Sequence, residues 1–114
     1  MSDCLFCKIV AGEIPAKVVA ESETCLAFYD IAPQAPVHVL IIPKAHFASV
    51  NELTATNPSL YVDLFLLCDE VVTTEGIKES GHRLVFNTGV DGQQTVEHIH
   101  MHVFGGRRLT WPPG

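Results

Sequence analysis

The chain has 114 residues, a formal net charge of −6, 47% hydrophobic residues and 18% charged ones. One packed domain over residues 1–114 is expected, not a disordered chain. With seven Lys and Arg in all, nucleic acid is not an expected partner, because backbone binding needs several cations on one face. A small phosphate-bearing ligand can still be held by backbone N–H groups.

The N-terminal stretch "MSDCLFCKIV" lacks a basic region followed by an apolar run, so no secretory signal is read. "AKVVAES" and "TCLAFYDI" are β-rich runs flanking a polar turn, the pattern of a hairpin. "APQAP" breaks the chain with two prolines, and "VHVLIIP" follows as a buried strand closed by Pro43. "NPSLYVDLFLLCDEVVTTEG" reads as the main helix: Asn57 can cap it, Pro58 suits its first turn, and Gly76 can stop it. Leu60, Leu64, Leu67 and Val71 make its apolar stripe. Asp63, Asp69 and Glu70 interrupt that run, so no transmembrane span is expected. "HRLVFNT" is a further strand, "GVDGQQT" a turn-rich loop and "EHIHMHVFGG" the last strand. This order predicts an α+β fold, an antiparallel sheet with one helix packed on it. The four cysteines, Cys4, Cys7, Cys25 and Cys68, read as reduced thiols of a cytoplasmic protein.

The last strand places His98, His100 and His102 at every second position. Alternation puts the three imidazoles on one face and Ile99, Met101 and Val103 on the other. Neighbours on that face stand roughly 6.5–7 Å apart along the strand, close enough to share one ligand. Mutual repulsion disfavours protonating the whole set, and neutral imidazole is the form that attacks or ligates. A solvated histidine face and a three-histidine metal site are the competing readings.

The motif "HIHMHVF" resembles the signature of the histidine-triad nucleotide-binding family. The resemblance extends through "CLFCKIVAGEIPAKVV", "CLAFYDIAPQAPVHVLIIPKAH", "FNTGVDGQQTVEHIHMHVFGGR" and the terminal "WPPG", and is nearest to the Hint branch. It implies a sheet of about five strands that dimerises into a continuous sheet. It also implies hydrolysis of purine nucleoside 5′-phosphoramidates to AMP and an amine, with no metal needed for the chemistry. By that resemblance His100 is the nucleophile on phosphorus, forming a nucleotidyl-histidine that water then hydrolyses. His102 would donate to a phosphoryl oxygen, His38 would support the nucleophile, and Thr95 would help the leaving group. Asn87, Gln93, Gln94, Thr95 and Val96 would contact the phosphate from the loop. Gln93 stands where Gly is frequent, and Thr95 where Ser is frequent. Leu5, Phe6, Ile9, Phe28 and Ile31 would form a purine slot, with Asp30 on the ribose hydroxyls. The alternatives are a dinucleoside polyphosphate hydrolase, as in the Fhit branch, and a non-catalytic nucleotide-binding or interaction module.

Two features remain. Trp111 before "PPG" suits an ordered tail, and the resemblance implies a homodimer in which Trp111 reaches the partner's leaving-group side. Cys4 and Cys7 have the C-x₂-C spacing in which two thiolates grip one ion. A redox pair and plain apolar packing are the alternatives. A tetrahedral site needs two more ligands, and the family resemblance offers His46 and His98, which would complete a structural zinc site.

Overall fold

The computed structural model describes residues 3–114. Its strands follow the β-rich runs of the sequence. β1 (Val18–Glu21) and β2 (Cys25–Tyr29) form the expected hairpin. Its turn is closed by the Ser22 N–H on the Cys25 carbonyl, 2.9 Å, and by the Cys25 N–H on Ser22 Oγ, 3.1 Å. β3 (Val37–Pro43), β4 (His82–Phe86) and β5 (Met101–Gly105) complete an antiparallel five-stranded sheet in the order β1-β2-β3-β5-β4. The fold is α+β, as expected.

The sheet is covered on both sides, and the two faces do different work. Ala27, Val39, Ile41, Met101 and Val103 point to one face, under Leu60, Leu64, Leu67 and Val71 of the main helix, in one buried cluster. Leu26, Phe28, Leu40 and Ile42 point to the other, where Phe6 packs on them. His38 and His102 alternate with the first set in β3 and β5, so they stand on the second face.

The main helix, α3 (Leu60–Thr74), starts later than the sequence suggests. Ser59 is its N-cap, while Asn57 ends a separate short helix, α2 (Val50–Thr56). Asn57 is drawn into the intervening turn, its carbonyl accepting from the Leu60 N–H at 3.2 Å. At the other end Gly76 is the stop. It adopts φ +72°, its N–H bonds Thr73 O, and the Ile77 N–H reaches back to Val72 O. That pair of bonds is a Schellman closure, which favours glycine at the left-handed position.

A third helix, α1 (Leu5–Val10), was not expected from the periodicity, and neither was α2. The last strand is also shorter than the histidine pattern implies. It begins at Met101, because β3 stops at Pro43 and pairs no further than Ile41 with Met101. Residues 98–100 continue the line but are tied to the segment after β3, with the Ile99 N–H on Phe47 O at 2.7 Å. Among the described residues no helix is long and apolar enough to cross a membrane.

Candidate active site

The histidine alternation survives the early end of the strand. Ile99, Met101 and Val103 are buried in the α3 side of the core, which turns His98, His100 and His102 to the opposite face. Each imidazole then has one nitrogen committed, and the commitment assigns its tautomer. His100 Nδ1 lies 2.8 Å from the His98 carbonyl oxygen. A carbonyl only accepts, so the ring proton is on Nδ1 and the lone pair is on Nε2. Burial holds the His100 pKa below its usual value, against the opposing pull of the His98 carbonyl and the Asp30 charge. Neutral imidazole with a fixed Nε2 lone pair is the form a nucleophile requires.

His38 and His102 form a second relay. The Gln34 N–H donates to His38 Nδ1 at 3.1 Å, so the His38 proton is on Nε2. That Nε2–H donates to His102 Nδ1 at 2.9 Å, with Asp30 Oδ2 at 3.5 Å beside it. His102 must in turn carry its own proton on Nε2, where it can donate to a ligand. Burial first, then the neighbouring His100 and His38, pushes the His102 pKa down to about 4. His38 thus bonds to His102, and its influence on His100 passes through that ring, 4.9 Å from the His100 ring.

His100 and His102 close one end of a pocket of about 290 Å³. Leu5, Phe6, Ile9, Phe28 and Ile31 line it, together with Thr95 and Val96. Phe6 sets its edge against His100 (5.1 Å between centroids) and Phe28 (5.6 Å). Ile14, Pro15, Ala16 and Leu40 extend the apolar wall, though sequence reasoning had not singled them out. Asp30 stands at the mouth, with Oδ1 accepting from the Ala32 N–H at 2.8 Å. A larger groove of about 630 Å³ adjoins at Asp30 and is lined by His38 but by neither His100 nor His102. His100 and His102 therefore open onto the smaller pocket.

Asn87, Gln93 and Gln94 do not line this pocket; the loop they belong to is held by its own hydrogen bonds. Asn87 Nδ2 donates to Gly92 O at 2.7 Å, and Gln94 Nε2 donates to the carbonyls of Ala48 and Val96. The backbone amides of Gln93 and Gln94 close turns on Val90 O and Gly89 O, each at 3.0 Å. These bonds hold the loop that brings Thr95 and Val96 to the pocket wall. Gln93 takes φ +56°, the left-handed position that explains a preference for Gly there. Trp111 is 79% exposed and lies under the Arg83 guanidinium at 5.8 Å, outside this chain's own pocket.

Among the described residues, two groups bring ligand atoms within 4.8 Å of one another. In the first, His46 Nδ1 is 3.2 Å from His98 Nδ1 and 3.3 Å from Cys7 Sγ, while His98 Nδ1 is 3.4 Å from Cys4 Sγ and 3.6 Å from Cys7 Sγ. A tetrahedral zinc with ordinary bond lengths needs edges of roughly 3.3–3.8 Å between N and S donors. His98 Nε2 donates to Pro43 O at 2.8 Å, which leaves the Nδ1 lone pair facing the cluster. Cys4, Cys7, His46 and His98 can therefore hold such an ion. The second group, Asp30, His38 and His102, does not suit an ion, because of its hydrogen bonding. Ligation through His38 Nε2 would move the proton to Nδ1, where the Gln34 N–H already donates.

A HIT domain model matches residues 11–109. The chain is 51% identical over 112 residues to an uncharacterized HIT-like protein of Synechococcus elongatus, covering 98% of this chain and 97% of the relative. The crystal structure of a HIT family hydrolase from Legionella pneumophila matches with TM-score 0.94 and 51% identity, over 98% of this chain and 100% of that one. A HIT family hydrolase from Clostridium thermocellum matches with TM-score 0.93 and 43% identity, over 96% of each chain. The chain belongs to the HIT domain family.

Proposed function

We propose that the protein is a nucleotide hydrolase that cleaves the P–N bond of purine nucleoside 5′-phosphoramidates, releasing AMP or its analogue and an amine. The observation that carries this reading is the His100 Nε2 lone pair, fixed by the Nδ1 bond to the His98 carbonyl at the end of an apolar pocket. The hydrolase names of the Legionella and Clostridium relatives support the reaction class.

In this mechanism the base lies between Leu5, Phe6, Ile9, Phe28 and Ile31. Asp30 Oδ2 accepts from the ribose hydroxyls. His100 Nε2 attacks the α-phosphorus, forming an N–P bond as the bond to the amine breaks. The Nε2–H of His102 donates to a non-bridging oxygen as charge builds there. The amine leaves as the neutral amine, taking a proton from solvent while the Thr95 hydroxyl at the pocket wall hydrogen-bonds to it. Water then cleaves the nucleotidyl-histidine, regenerates the imidazole and returns one proton to solvent.

Assay of AMP release from a fluorogenic aminoalkyl adenylate tests the proposal. Turnover with an adenylyl-histidine adduct detectable on His100 supports it. Preferential cleavage of a dinucleoside polyphosphate, or nucleotide binding without turnover, would replace it with one of those readings. The same proposal includes a zinc held by Cys4, Cys7, His46 and His98, supported by the N and S spacing. Four protein ligands leave no open position for water, so this zinc is structural. It also includes a homodimer, supported by the edge position of β4 and the exposed Trp111.

A further inference from the structure

The helix α1 has six residues, too few to be stable by itself. Its first turn faces two ways. Cys4 and Cys7 turn their sulfurs to His98 and His46, while Leu5, Phe6 and Ile9 form part of the pocket wall. Phe6 also bridges the two sites, with its ring 5.9 Å from that of His98 and 5.1 Å from that of His100. The backbone makes a second link: the carbonyl that orients His100 is that of His98, whose ring belongs to the cluster. A third link is a shared wall. A cleft of about 590 Å³ opens onto Cys4 and His46, and its lining residues Leu5, Thr95 and Val96 also line the nucleotide pocket.

We infer that the cluster and the pocket are coupled, so that a metal at Cys4, Cys7, His46 and His98 tightens nucleotide binding and nucleotide tightens metal binding. The inference rests on the zinc and nucleotide readings above. An ion draws four donor atoms to one point, fixing the first turn of α1 and residues 95–98 together. Those are the segments that Phe6, Thr95, Val96 and the His98 carbonyl contribute to the pocket. Without it the segments gain freedom that nucleotide binding must then remove, which lowers affinity. Linkage makes the effect reciprocal, and couplings of this kind span about 5- to 150-fold.

The test measures AMP affinity by calorimetry on zinc-loaded wild type and on the same protein stripped with chelator. Zinc affinity is measured in parallel by competition with a chromogenic chelator, with and without saturating AMP. We expect roughly tenfold weaker AMP binding after stripping, and zinc binding tightened by the same factor when AMP is present. Cys4→Ser/Cys7→Ser should give the stripped value whether or not zinc is added. If stripping unfolds the protein, the competition arm on the loaded protein still reads the coupling. Equal AMP affinity with and without bound zinc, or zinc affinity indifferent to AMP, overturns the coupling alone. A protein that takes up no zinc overturns the zinc reading and the coupling with it. Failure to bind AMP in either state overturns the nucleotide reading.

Discussion

At the scale of single residues, the proton of each imidazole is placed by its hydrogen-bond partners, starting from a carbonyl that only accepts and an N–H that only donates. The His98 carbonyl fixes His100, and the Gln34 N–H fixes His38 and through it His102. If His100 is the nucleophile, His100→Ala should abolish turnover while AMP affinity stays within about tenfold, because the base and ribose contacts persist. Comparable turnover by variant and wild type would remove the covalent route. His102 gives a pH prediction. It faces His38, His100 and Asp30 and stacks on Phe104. Its folded pKa, about 4, lies below the ordinary 6.5, so the unfolded chain takes up the proton first. Its contribution is fully present above about pH 6.5 and is lost as pH falls through about 4. Thermal melts across that range should show wild type losing more stability than His102→Asn; parallel curves would contradict the assignment. The placement of the three imidazoles on one face was legible in the alternation, since a period of two survives even where the ladder ends. The bonds that Asn87 and Gln94 make within the loop were not, because the sequence does not show which backbone carbonyl a side-chain amide reaches.

At the scale of elements, β2 and β3 were readable as continuous buried apolar runs, β5 by its alternation, and α3 by a stripe whose members Leu60, Leu64, Leu67 and Val71 are all buried. The short helices α1 and α2 were not, since six and seven residues span under two helical turns and leave no periodicity to detect. The approach to the triad shows what its loop demands. A Cβ on Gly92 would collide with the backbone of Thr88, a contact no side-chain rotation relieves. Gly92→Ala should therefore cost about 1–3 kcal/mol of stability and displace Thr95, lowering turnover. Urea unfolding with unchanged midpoint would show that the loop has more room than this. For α1, the proposed zinc predicts one metal per chain by elemental analysis. Cys4→Ser/Cys7→Ser should lose it, melt at lower temperature and retain turnover at saturating substrate. Metal-free wild type purified without chelator would remove zinc from this account.

At the scale of the whole molecule, one edge of the sheet is a strand that holds the tail against it. β4 is an edge of the sheet, and such edges are routinely covered by another chain or element. Arg83, in that strand, donates from Nη2 to Thr110 O at 2.9 Å and lies over the Trp111 ring. The outer side of α3 exposes Val62, Phe65 and Leu66, more apolar side chains than a solvated helix face needs. Joining two β4 edges would continue the antiparallel ladder through a twofold axis, as closed symmetric dimers do. It would also commit two copies of the Arg83–Trp111 unit to the same interface, where the tail of one chain can reach the leaving-group side of the other. Light scattering at micromolar concentration should give twice the 12.5 kDa chain mass. Deleting residues 111–114 should change kcat/KM among amine leaving groups more than between adenosine and guanosine substrates, because the base slot is built from residues 5–31 of one chain. Arg83→Ala should reproduce part of that change by loosening the tail while leaving the triad untouched. A monomer at that concentration, or equal loss for every leaving group, would return Trp111 to its own subunit.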